Sequence, residues 1–129
     1  MIYSFPQFIQ QWITKAENDV KTAEILLEHP PIILDNACFH CQQAVEKYLK
    51  AFLIYHKKEI LKTHDIEFLI EECAKIDSSF TEIDLKDISS FAVKYRYPSD
   101  YLDPTVEEAH YYYNVALTIR EQVLRKIQH

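Results

Sequence analysis

The chain has 129 residues, 48% of them hydrophobic, and a net charge of −6; that is one domain, residues 1–129, with a real core, and it excludes an intrinsically disordered chain. There is no glycine, which excludes a phosphate-cradling P-loop and a dinucleotide fingerprint, since both need glycine for tight turns and close backbone approach. The charge is uneven: Lys47, Lys50, Lys57, Lys58 and Lys62 face only Glu46 and Glu59 between His40 and His64, whereas twelve acids face four bases from Asp65 to Glu108, so a broad basic nucleic-acid surface is excluded and a local anion site is not.

The predicted elements follow in chain order. Ser4 and Gln7 have capping-box spacing, with Pro6 in the first turn. Ile9, Ile13, Ala16, Val20, Ala23 and Leu27 then recur at three- and four-residue intervals as one helical stripe. Pro30-Pro31 ends that helix, because proline cannot continue the hydrogen-bond ladder. A second helix runs from about Asp35 to His56, with Ala37, Cys41, Ala44, Tyr48, Ala51 and Tyr55 in its stripe. Phe39, Leu49 and Leu53 lie off that stripe, and a helix apolar on more than one side is central in a bundle or buried in a dimer.

A loop from Lys57 to Lys62 leads to a third helix with Ile66, Leu69, Ile70 and Cys73 inward and Thr63 or Asp65 as its cap. Asp77-Ser78-Ser79 reads as a turn. Thr81 with Asp84 opens a fourth helix carrying Ile88, Phe91, Ala92 and Tyr95, followed by the aromatic loop Arg96 to Leu102. Asp103 as N-cap and Pro104 at the first helical position start the last helix, with Ala109, Tyr112, Ala116, Ile119, Val123 and Ile127 inward. The fold class is therefore all-α: an up-and-down bundle of four to five antiparallel helices. No apolar run approaches the ~18 residues of a membrane-spanning helix. The opening residues lack secretory features, and three cysteines read as reduced thiols, so a cytoplasmic protein without a membrane is expected.

Candidate chemistry gathers on the second helix. His40, Gln43, Lys47 and Lys50 fall within roughly one quarter of its surface. Such a row serves as a solvated face, a dimer seam, or a set of donors for phosphate oxygens. Glu46 is four residues before Lys50, the spacing of plain helix support. His64 sits at the start of the third helix, where backbone donors welcome an anion and a histidine can act as acid or base; the alternative is a hydrogen bond across a turn. Arg96 can grip a phosphate in a bidentate way or complement a helix C-terminus. Tyr97 and Tyr101 either stack on a base or close the bundle end. Arg120 interrupts the last helix's apolar stripe and calls for a carboxylate partner or the helix edge. Cys38 and Cys41 lack the further ligands that zinc needs, and no cysteine or serine has a nucleophile's setting, so no metal and no cofactor are expected.

The run Cys41-Gln42-Gln43-Ala44-Val45-Glu46-Lys47-Tyr48-Leu49-Lys50-Ala51, with Thr63-His64-Asp65 and Arg96-Tyr97-Pro98, resembles the HEPN domain family (higher eukaryotes and prokaryotes nucleotide-binding), in particular its prokaryotic branch associated with minimal nucleotidyltransferases. The resemblance covers nearly the whole chain and implies a helical bundle, often a symmetric dimer. It implies a nucleotide or RNA ligand, a minimal nucleotidyltransferase partner and a toxin–antitoxin-like pairing. The nucleotide-binding surface it suggests maps onto His64, Arg96 and Lys47; Lys50 of the helical row and Tyr97 of the aromatic loop complete the candidate ligand residues. Several branches of the family are metal-independent RNases that use an arginine separated by four to six residues from a histidine. Here the positions after Arg96 are Tyr101, Leu102 and Asp103, and Arg120 and Arg125 offer no such histidine. The sequence therefore leaves three readings: a ligand-binding dimer, an RNase with His64 and Arg96 as unusual catalytic residues, or a non-catalytic dimerisation module.

Overall fold

The computed structural model describes residues 4–59, 62–85, 88 and 104–127. Among them are four α-helices, α1 (Phe5–Glu28), α2 (Leu34–Tyr55), α3 (Ile66–Ile76) and α4 (Val106–Ile127), one short 3-10 helix (Ser78–Glu82), and no strand. The architecture is an all-α bundle, as the sequence periodicity requires.

Local sequence sets the ends of these helices. Gln7 N donates to Ser4 Oγ at 3.2 Å and Ser4 N donates to Gln7 Oε1 at 2.9 Å, a complete capping box. Helix α1 stops at Glu28, just before the two prolines. Asp65 caps α3 by accepting from Phe68 N at 3.1 Å; Thr63 instead accepts from Asp65 N. The last helix starts later than expected. Thr105 and Glu108 form its reciprocal pair, at 2.8 and 3.0 Å, because Thr105 offers a hydroxyl three residues before a glutamate. The helix expected to open at Thr81 and Asp84 is a 3-10 turn at that point, with Thr81 Oγ1 donating to Ser78 O at 2.7 Å. Of its expected stripe, Ile88 is described and buried, while Phe91, Ala92 and Tyr95 lie outside the described residues.

Packing puts α2 at the centre. Fourteen of its 22 residues are buried, against six each in α1 and α4, so α2 is the rod around which the others are laid. Leu49 and Leu53, off the main stripe, are buried inside this one chain. The second apolar side of α2 is therefore used within the protomer. Its largest interface is with α1. Ala16 and Ala23 on α1, and Ala37, Ala44 and Ala51 on α2, are fully buried, and small side chains let two helices approach closely.

Polar contacts give the directions. Trp12 lies by Lys50 and Asp19 by His40 and Lys47, so α1 and α2 run antiparallel. Tyr113 Oη donates to Glu24 at 3.2 Å, and Arg120 grips Glu17 with Nε and Nη2 at 2.6 and 3.0 Å, so α4 is also antiparallel to α1. Arg120 thus has the carboxylate partner that its position in an apolar stripe demands. Tyr48, fully buried on α2, donates its hydroxyl to the same Glu17. Burial alone would raise the Glu17 carboxyl, but the hydrogen bonds from Arg120 and Tyr48 outweigh it and hold it below its ordinary value.

At the other corner, Phe80 of the 3-10 helix stacks edgewise on Phe52, with ring centroids 4.9 Å apart. Asp77 caps that 3-10 helix through Ser79 N and receives Lys126 Nζ at 2.7 Å. Lys126 and then Ser79 hold the Asp77 carboxyl down to about 2. Its stabilising contribution is full above the unfolded value of 3.8 and is lost as pH falls through about 2. Asp77→Asn keeps a capping side chain and removes the charge. It should lower Tm by about 2–4 °C at pH 7, with the gap closing near pH 2 in a thermal-melt series.

A glycine-free chain also meets a difficulty at the end of α2. Lys58 N donates to Leu53 O at 3.0 Å and Lys57 N to Ile54 O at 2.8 Å, a Schellman motif, which needs a left-handed residue at its turn. Lys57 takes that place with φ 63°. Lys57→Gly should therefore stabilise the protein by about 0.5–1 kcal/mol in urea denaturation, even though it removes an exposed charge.

Candidate functional site

The polar row of α2 is the site to build. His40, Gln43, Lys47 and Lys50 share one side of the helix, as the spacing requires, but the cations are already engaged. Asp19 of α1 is buried; its Oδ1 lies 2.9 Å from His40 Nδ1 and its Oδ2 accepts from Lys47 Nζ at 2.6 Å. Lys50 Nζ donates to Glu46 Oε2 at 3.1 Å and lies 5.8 Å from the centroid of the Trp12 ring.

Glu46 also holds His64, with Nδ1 at 2.9 Å from Oε1 and 3.1 Å from Oε2. A carboxylate only accepts, so Nδ1 is the donor to Glu46, and Nε2 accepts when the ring is neutral and donates when it is protonated. The side chains of Glu46 and Lys50 are 4% and 7% exposed, while that of His64 is 68% exposed. A buried carboxylate thus orients an exposed imidazole, and a buried ammonium offsets the carboxylate's charge. The pattern occurs twice along α2: Asp19 joins His40 to Lys47, and Glu46 joins Lys50 to His64. Lys47 and Lys50 are one turn apart, so the two clusters form one polar seam.

This differs from a free cationic edge. Lys47 and Lys50 hold carboxylates, and His64 is the exposed end of the seam. The donors of the α3 N-terminus are partly used by Asp65. A cavity of about 260 Å³ lies among Phe5, Ile9, Tyr55 and Leu124, another of about 270 Å³ lies by Ile83 and Tyr111, and neither of these reaches His64. Arg96, Tyr97 and Tyr101 lie outside the described residues.

The thiols take no part in this seam. Cys38, Cys41 and Cys73 are free and buried. Burial, helped by Glu108 and Asp35, pushes Cys38 up to about 12; burial and Glu72 push Cys73 up to about 12; and burial, then Cys38 and Asp19, push Cys41 higher. All three are protonated and poor nucleophiles at neutral pH. Among the described residues, no group of three or more His, Cys, Asp or Glu is placed to hold a metal ion, and no helix is long and apolar enough to cross a membrane.

Asp19 and Glu17 were not singled out from sequence, and Gln42 entered only as part of the run Cys41 to Ala51. A signal existed for Asp19, which falls between Ala16 and Ala23 inside the apolar stripe of α1. Gln42 falls likewise between Cys38 and Val45, and it is fully buried.

An all-α bundle with a carboxylate-anchored polar seam along its central helix is the class that fold and site define. Among protein-family models, the HEPN domain matches residues 9–127. The chain belongs to the HEPN domain family. Comparisons with curated proteins and with solved structures gave no significant match.

The buried pair makes a prediction. Glu46→Gln leaves the Lys50 ammonium buried without a counter-charge and should cost about 3 kcal/mol in urea denaturation. A Glu46→Leu, Lys50→Leu double variant should recover most of that loss, because neither charge then remains unpaired.

Proposed function

We propose that this HEPN protein binds a nucleotide or other phosphate-bearing ligand as a homodimer, and acts in the cytoplasm with a minimal nucleotidyltransferase partner in a toxin–antitoxin-like pair. One observation carries the ligand half of this reading: the exposed His64, fixed through Nδ1 by the sealed Glu46. A ring held that way costs little reorganisation when a phosphate arrives, the protonated imidazole donating Nε2–H to a phosphate oxygen. Arg96 and Tyr97 are the further ligand contacts in this proposal. Lys47 and Lys50 serve it by anchoring Asp19 and Glu46 and offsetting their charge. Family membership supports the dimer and the nucleotidyltransferase partner.

The same dyad favours a second reading, metal-independent RNA cleavage. In it, His64 Nε2 takes the proton of a ribose 2′-hydroxyl as that oxygen attacks the adjacent phosphorus. The bond to the 5′-oxygen breaks, that oxygen leaves as a hydroxyl with a proton from water, and Arg96 offsets charge on the pentacoordinate phosphate.

His64→Ala should weaken binding of ATP and pyrophosphate about tenfold in titration calorimetry, a loss of one charge-assisted hydrogen bond. Its Tm should match wild type within about 2 °C, because the ring is mostly exposed. Equal affinity of variant and wild type would remove the ligand reading. Incubation of both proteins with RNA decides the second: cleavage by wild type and not by the variant is its expected outcome.

A further inference from the structure

Three helices meet at one end of the bundle: α1 starts there, and α2 and α4 end there, because both run antiparallel to α1. A cavity of about 260 Å³ lies between them. Ile9 and Ile13 of α1, Tyr55 of α2 and Ile127 of α4 line it, and all four occupy the inward stripes of their helices. The packing explains the space. Fully buried alanines let α1 approach α2 closely, whereas α1 meets α4 over a much smaller interface. Glu17 and Arg120 join α1 to α4 one turn from Ile13 and Leu124. Two such long side chains hold helix axes farther apart than alanine contacts do. The aliphatic side chains beyond that pair leave the wedge toward Phe5 unfilled. Phe5 is 44% exposed at the rim, and Ile9 and Ile13 are 7% and 5% exposed beneath it.

We propose that this cavity binds a small uncharged apolar molecule, the size of a bicyclic aromatic or an eight-carbon chain. The size follows from the volume. An apolar cavity of about 150 Å³ takes one benzene, so this one takes roughly ten non-hydrogen atoms. A helix, about 10 Å across, is too wide for it. The lack of charge follows from the lining. Among the described residues that line the cavity, none is charged, so a cationic ligand meets no carboxylate. The carbonyl ends of α2 and α4 face this end of the bundle and disfavour an anion. The cations on the last turn of α4 are engaged elsewhere, Lys126 by Asp77 and Arg125 by Gln122. Gln10 supplies a polar contact at the rim: its Nε2 donates to Thr14 Oγ1 at 3.3 Å, and its Oε1 accepts from a ligand hydroxyl or N–H. Unfilled apolar space costs stability in proportion to its volume, so a guest that fills it stabilises the native state. The site is separate from His64 and does not depend on the phosphate reading.

The test uses the full chain and three probes in titration calorimetry: 2-naphthol, 1-octanol and naphthalene-2-sulfonate. The expected result is one saturable site for 2-naphthol or 1-octanol, a raised Tm in its presence, and at least tenfold weaker binding of the sulfonate. Ile13→Phe and Leu124→Phe fill the space and should weaken the uncharged probe tenfold or more, while His64→Ala binds it as wild type does. If neither uncharged probe binds wild type, the site does not exist. If the folded phenylalanine variants bind as wild type does, the probe sits elsewhere and the inference falls. If the sulfonate binds as tightly as 2-naphthol, the uncharged class is wrong. Where a filled variant does not fold, nuclear Overhauser contacts in wild type decide: transfer from the bound probe to the Ile13 and Leu124 methyls supports the site, and its absence overturns it.

Discussion

The burial of α2 is the constraint from which the rest follows. A helix enclosed by α1, α3 and α4 has little surface left for solvated side chains, yet this one carries glutamines, a glutamate, lysines and a tyrosine hydroxyl along its buried length. Each such group must find a partner inside the bundle or carry the cost of desolvation. Lys50 finds Glu46, Lys47 and His40 find Asp19, and Tyr48 finds Glu17. These contacts fix how α1 rotates and slides against α2, because one misplaced turn would strand several charges at once. Hydrophobic burial supplies most of the driving force for the bundle. The paired charges select one register of its helices.

The same pairing reshapes the electrostatics. Read along the chain, α2 offers lysines to a ligand. In the folded protein, carboxylates of α1 and α2 take up those lysines, and the exposed donor or acceptor moves to the edge of the seam, at His64. An oriented imidazole above a sealed carboxylate is a better-defined contact than a flexible lysine, since its ring position is set before any ligand arrives. Gln42 is the member of the buried ridge that the internal pairing leaves out.

Several features were legible in the residues themselves. Apolar spacing predicts α1, α2, α3 and α4 and their inward residues, because a 3.6-residue period maps directly onto one face of a helix. The Ser4–Gln7 box and the Asp65 cap are also readable, since a cap depends on residues three positions apart. Arg120 announces its need for an acid by interrupting an apolar stripe. Other features were hidden. The start of α4 was placed at Asp103 and Pro104, but Thr105 with Glu108 also satisfies the local rule, and local rules do not rank two adjacent caps. Thr81, expected to open a helix, lies in the 3-10 helix Ser78–Glu82, where Phe80 packs on Phe52 and packing overrides propensity.

The sequence by itself determined the helical class, the absence of glycine-dependent phosphate loops and the family signature. These are properties of spacing and composition, which each segment carries with it. Only the tertiary structure decided which acid meets which base. Asp19 lies 28 residues from Lys47, and Glu17 lies 103 from Arg120; their meeting depends on how three rods pack together. The same packing turned a row of lysines into internal pairs, put His64 at the solvent edge, and sealed Gln42 without a partner.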